Sequence, residues 1–154
     1  MRHSVAGSTL LLAIASVMIL PPARAITAAE VLDEATLANL EARAEHAQPN
    51  EQAFLFTELI HEYVEVAGKQ VAAGEMDEAT ATLQRVQTYA DRIHNGLGKS
   101  TKRVKNAEML MHLATYRLTE LMHMISTEDK ALIQATLKQL DRLHDELLQQ
   151  VFSH

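Results

Sequence analysis

Two Glu-x-x-His spacings stand in the chain, Glu58 with His61 and Glu120 with His123. A carboxylate and an imidazole at this spacing share one face of a helix. Two such pairs on facing helices make the donor set of a di-metal centre inside a bundle. A softer donor set is offered by Met109, His112 and His123, whose thioether and imidazole groups suit Cu(I) or Ag(I). Tyr116 and Glu120 follow on the same face, with Met122 and Met124 beside it. His112 and His123 lie three helical turns apart, about 16 Å, so they cannot close on one ion. Lys99, Lys102, Arg103 and Lys105 form a third cluster, a patch for an anion or a partner. Its counter-charge is expected from the acidic half of this chain, another copy, or a bound anion such as a lipid head group. No Ser-His-Asp set, activated cysteine or phosphate loop is present. No residue is assigned a catalytic role, and the chain is expected not to be an enzyme.

These groups must be positioned by helices. Breakers divide the chain after residue 26 into five segments, and no window alternates as a strand does. The first spans about residues 27–46, with Thr27 as N-cap and Glu30 completing a capping box. Its apolar face is read as Ala28, Val31, Ala35, Ala38 and Ala42, which buries little. The second, about 50–73, follows Pro49 and carries Phe56, Leu59, Ile60, Tyr63, Val66 and Ala67 on one stripe. The third, about 76–94, spaces Ala79, Leu83, Val86, Ala90, Ile93 and Leu97 as a heptad seam. The fourth, about 100–125, repeats the seam with Val104, Ala107, Met111, Ala114, Leu118, Leu121 and Ile125. Ser126 caps the fifth, which is lined by Ile133, Leu137, Leu140, Leu147 and Val151. His144 falls within that last stripe, beside Leu140, Leu143 and Leu147, as a packed or edge histidine.

At about 100° per residue, Glu58 and His61 lie opposite the stripe through Phe56, Tyr63 and Ala67. Glu120 and His123 lie opposite Leu118, Leu121 and Ile125. Both motifs therefore point away from the expected core, which argues against the di-metal reading. The links are only a few residues long, so successive helices are expected to pack antiparallel. The expected fold class is all-α, an antiparallel helical bundle of four core helices with a weakly attached N-terminal helix.

The address is the plainest reading. Arg2 and His3 precede an apolar run from Thr9 to Leu20, Pro21 and Pro22 break it, and Ala23-Arg24-Ala25 supplies the small residues for cleavage. Residues 1–25 are expected to be a signal peptide cleaved after Ala25; the run is too short to span a bilayer. Residues 26–154 then form one domain, periplasmic or secreted, with no stable membrane span. Two of the 14 Lys and Arg leave with the signal, so 12 remain against 20 acids. That balance excludes nucleic acid as the main partner. With no cysteine, an exported protein must be stabilised by packing rather than by disulfides.

Residues 60–91 resemble one tetratricopeptide-type hairpin. Tyr63, Val66, Ala67, Gly74, Ala79 and Leu83 occupy matching positions, and Ala-Gly-Glu-Met-Asp-Glu-Ala (73–79) is the most typical stretch. Gln70, Val86 and Asp91 depart from the pattern, and no second copy follows. The resemblance implies peptide or protein binding. Outside that hairpin the chain resembles exported helical proteins of bacteria. Residues 74–94 also resemble the last hairpin of periplasmic haem-b four-helix cytochromes, which would make His94 an iron ligand. No methionine lies between Ile26 and Ala73 to serve as the second ligand, and Cys-x-x-Cys-His is absent. No cofactor is expected.

The functional expectation is an exported non-enzymatic protein that associates with another protein, or with itself, through a helix face. Leu110, Leu113 and Met124 widen the apolar girth of the fourth helix beyond its seam, which motivates this. The alternative is a soft-metal (copper or silver) or small-ligand carrier of the envelope using Met109, His112 and His123.

Overall fold

The computed structural model describes residues 32–97, 101–127 and 129–153. The expected signal peptide, Thr27, Ala28, Glu30, Val31, Lys99 and Ser100 lie outside them. Among the described residues there are five helices: α1 (Glu34–His46), α2 (Pro49–Ala73), α3 (Met76–Gly96), α4 (Val104–Met124) and α5 (Lys130–Phe152). No strand occurs among the described residues, and the fold is an all-α bundle.

Local chemistry sets the boundaries. Leu32 and Asp33 are not helical, so α1 opens at Glu34 rather than at Thr27. Asp33 caps it, its carboxylate accepting from the Thr36 N–H at 2.8 Å and from the Thr36 hydroxyl at 3.1 Å. Pro49 holds the first-turn position of α2, where its missing N–H costs nothing. Gly74 ends α2 in the left-handed region (φ 79°), and the N–H groups of Gly74 and Glu75 donate to Val71 and Gln70 carbonyls. That is a Schellman closure, which favours glycine because no Cβ crowds the turn.

The heptad seams pack as the spacing requires. Ala79, Leu83, Val86, Ala90 and Ile93 of α3 are buried, and so are Ala107, Met111, Ala114, Leu118 and Leu121 of α4. Ile133, Leu140, Leu143 and Leu147 bury the inner face of α5. The α1 face is different from the expected one. Leu37, Leu40 and Ala44 are buried, while Ala35, Ala38 and Ala42 face solvent on the opposite side. Leucine buries more apolar area than alanine, and the helix turns accordingly. α1 is thereby packed on the bundle.

The expectation that successive helices pack antiparallel holds for α1 with α2, α2 with α3, and α4 with α5, but not for α3 with α4. Instead α4 lies parallel beside α2. Lys102 N–H donates to the Asn50 carbonyl at 2.8 Å at one end, and Arg117 reaches Glu65 at 3.4 Å further along. α5 likewise runs parallel beside α3, tied by Gln87 to Thr136, Gln139 to Asp91, and His94 to Glu146. Two hairpins thus stand side by side. The two-residue links at Ala47–Gln48 and Gly74–Glu75 force a helix to fold back on its predecessor, whereas the longer 97–103 link lets α4 cross to α2. Gly68 helps it dock: a Cβ there would sit 3.1 Å from the Arg117 guanidinium.

Leu118 is fully buried where α4 meets the core. Leu118→Ala is expected to lower the unfolding free energy by about 2–5 kcal/mol. Gly74→Ala, which forces a side chain into the left-handed region, is expected to cost about 1 kcal/mol. Urea denaturation followed by circular dichroism measures both.

Candidate functional site

The histidines and carboxylates that suggested metal chemistry are distributed over separate surfaces. Met109 and His112 are exposed on α4, and His123 is exposed three turns beyond. His112 meets a residue of α5 instead: its ring centroid lies 5.6 Å from that of half-buried His144. His144 Nε2 donates to Glu108 Oε1 at 2.8 Å. Glu58 is half-buried, and burial pushes its carboxyl above the ordinary range against the opposing pull of Arg103 and Arg43. His61 is half-buried too, so the first Glu-x-x-His motif sits closer to the packing than expected. Helix α2 has neighbours on three sides, which leaves it little free surface. Glu120 accepts from Arg117 at 3.0 Å. His94 is exposed and held by Glu146, whose hydrogen bond and charge raise its pKa. Among the described residues, no group of three or more His, Asp or Glu is placed to hold a metal ion.

The basic patch is partly consumed within the chain. Lys102 Nζ reaches Glu51 at 3.1 Å, and the Arg103 guanidinium stacks 3.5 Å from the Phe54 ring centroid. Arg103 adopts a left-handed backbone (φ 56°) to do so. Lys105 is exposed. The acidic half of the chain thus supplies one counter-charge through Glu51.

A polar knot that the spacing did not reveal joins α1 to α2 and α3. Glu41 Oε1 accepts from the Tyr63 and Tyr89 hydroxyls, each at 2.6 Å, and Arg85 donates to the Tyr63 hydroxyl at 3.2 Å. The rings of Tyr63, Tyr89 and Phe56 stack in series, with Arg92 over Phe56 and paired to Glu45. Above the knot runs an open groove of about 700 Å³, walled by Leu37 and Ala38 of α1, Val66 of α2 and Thr82 of α3. Burial alone would raise the Glu41 carboxyl, but the two tyrosine hydrogen bonds and Arg85 outweigh it and hold the pKa below its ordinary value. Burial and the bond to Glu41 push both Tyr63 and Tyr89 up. No residue type here is rare enough to have drawn attention; only the tertiary pairing shows the cluster.

The outer face of α4 carries the most unusual surface. Met109, Leu113, Tyr116 and Met124 are 52%, 43%, 61% and 58% exposed. At 100° per residue they fall on one side, opposite Ala107, Met111, Ala114 and Leu118. His112 and His123 line one flank of the strip. Of the described residues, only Phe152 is a further large apolar side chain so exposed.

Comparison with family models, with curated proteins and with solved structures gives no match to this chain.

The knot has a pH signature. A lowered Glu41 pKa stabilises the fold above the ordinary carboxylate value of 4.5, and that contribution is lost as pH falls through the lowered value. Raised Tyr63 and Tyr89 pKa values contribute fully below 10, and their contribution is lost as pH rises through the raised values. Glu41→Gln is expected to flatten the acid limb and to cost about 1–2 kcal/mol at neutral pH. Tyr89→Phe is expected to flatten the alkaline limb. Urea midpoints measured from pH 3 to 11 check both.

Proposed function

We propose that this protein is an exported, non-enzymatic scaffold that works by holding another protein chain against the outer face of α4. The observation that carries the reading is the strip of Met109, Leu113, Tyr116 and Met124. These side chains contribute nothing to the bundle core, and they extend for about 22 Å along one helix. An exposed apolar run of this kind marks a surface that another molecule covers. His112 and His123 line one flank, and Lys105 and Glu120 stand among the apolar side chains, a mixture of apolar and polar groups that suits a protein interface.

The hairpin architecture agrees with this use. α2–α3 and α4–α5 stand side by side, and the tetratricopeptide-like character of residues 60–91 implies peptide or protein binding. The N-terminal Arg2-His3, apolar run and Ala23-Arg24-Ala25 support delivery to the periplasm or the exterior. No helix among the described residues is long and apolar enough to cross a membrane.

Two measurements test the proposal. Mass spectrometry of the envelope fraction is expected to find a mature chain beginning at Ile26; a full-length cytoplasmic chain would refute export. In sedimentation of native extracts, the wild type is expected to migrate in a complex larger than its own monomer. Leu113→Glu/Tyr116→Glu is expected to release it with unchanged helicity, and a wild type that is strictly monomeric would overturn the interface.

A further inference from the structure

We propose that the chain seated on α4 is a second copy of this protein, packed antiparallel across a two-fold axis beside Leu113. This rests on the reading of the α4 face as an interface and adds the identity of the partner. A two-fold interface is self-complementary, so a residue that meets another must be met by it in return. The stretch of α4 from Lys105 to Glu120 satisfies that condition, while Met124 lies beyond the paired length. Lys105 stands at its N-terminal end and Glu120 near its C-terminal end, both within the apolar side of the helix. Reversing a second copy over the first sets Lys105 against Glu120 at both ends. The same register sets Met109 against Tyr116 twice and brings the two Leu113 side chains to the axis.

Each of these pairings is chemically favourable. A thioether against an aromatic ring gains from sulfur–aromatic contact. Leucine at the axis of an antiparallel pair buries apolar surface with its own image. The charges choose the direction, because a parallel pair would set Lys105 against Lys105.

A second observation points to the same partner. The first turn of α4 contains no acidic residue, and its N-cap Arg103 makes no side-chain capping bond. Cations at that end oppose the helix dipole. Lys102 and Arg103 are relieved by Glu51 and Phe54, whereas Lys105 has no carboxylate within ion-pair reach among the described residues. Glu120 of the second copy supplies one. Glu120 keeps its Arg117 contact meanwhile, since a carboxylate accepts several donors, and Arg117 is also anchored by Glu65. One 21-residue helix, about 31 Å long, gives an interface at the small end of the range. The dimer therefore exchanges and depends on concentration.

The cysteine-free sequence makes the test clean. Under mild oxidation Leu113→Cys is expected to cross-link two copies. Met124→Cys is expected not to, because the antiparallel register separates the two sites by about 35 Å against the roughly 6 Å a disulfide spans. In sedimentation equilibrium, Lys105→Glu and Glu120→Lys are each expected to weaken the dimer about tenfold, with helicity unchanged. An equimolar mixture of the two is expected to recover wild-type affinity, since opposite charges meet again at both ends. Cross-linking through Met124→Cys as readily as through Leu113→Cys would overturn the antiparallel register. A purified monomer at all concentrations would overturn self-association. That result would leave an α4-dependent complex in extracts to support a different protein as partner. A dimer indifferent to every α4 substitution would overturn both readings.

Discussion

Residues 53–57 of α2 are all buried, one after another, which packing on a single face cannot achieve. Consecutive burial through more than a full turn requires neighbours around the helix, and α2 has three: α1, α3 and α4. The hydrophobic effect acting on Phe54, Leu55 and Phe56 thus dictates more than local helicity. The α2–α3 hairpin covers one side of α2 through the seam of Leu83, Val86 and Ala90. Another side needs α1, which enters with Leu37, Leu40 and Ala44. The remaining side needs α4, which packs there. Thr57 fits inside this enclosure only because its hydroxyl donates back to the Ala53 carbonyl at 2.7 Å.

Placing α4 beside α2 decides what the rest of the molecule exposes. α4 is held by α2 on one flank and α5 on the other, with its seam turned inward. Among the described residues, no helix covers its remaining side. In a bundle where α4 lay between α3 and α5, the acidic N-terminal part of the chain would be far from Lys102 and Arg103. Here Glu51 and Phe54 meet them directly, and the charge asymmetry of the sequence becomes an intramolecular contact. The polar knot at Glu41 serves the opposite edge. Its carboxylate joins one tyrosine from α2 and one from α3, so α1 is fixed by directional bonds as well as by three small apolar contacts. Removing water from those hydroxyls without a partner would be costly; with Glu41 present the same burial orients the helix.

How much of this was legible depended on whether a feature lives in local spacing or in tertiary pairing. The seams of α3 and α4 follow strict three-four alternation, and their inner positions are buried, while Leu97, Val104 and Ile125 at the helix ends are half-buried. The helix ends were legible where a residue type enforces them, as at Pro49 and Gly74. The α1 face was misread because alanines and leucines form two rival stripes on opposite sides. The count of alanines favoured one side, while burial area favoured Leu37 and Leu40. The α3-to-α4 crossing could not be read, since link length alone does not say which neighbour a helix will choose. Glu41 with Tyr63 and Tyr89 was invisible for the same reason: the partners stand 22 and 48 residues away. Met109 and His112 are both exposed on α4, and the histidine that meets His112 is His144 of α5, 32 residues away in sequence and beyond the reach of local spacing.

The α4 strip also bears on how a bundle tolerates such a surface. Met109, Leu113, Tyr116 and Met124 could be polar without loss to the core, because Ala107, Met111, Ala114, Leu118 and Leu121 already fill it. Exposed apolar residues invite association whether or not a partner is intended. A protein without disulfides cannot rely on covalent bonds to survive transient opening, so an unspecific strip would be a liability. Flanking charge turns the liability into selectivity. In the proposed dimer, Lys105 and Glu120 would penalise a parallel or shifted neighbour and reward the reversed one. In the proposed dimer, residues outside the core would thus select the direction from which a second copy covers the strip.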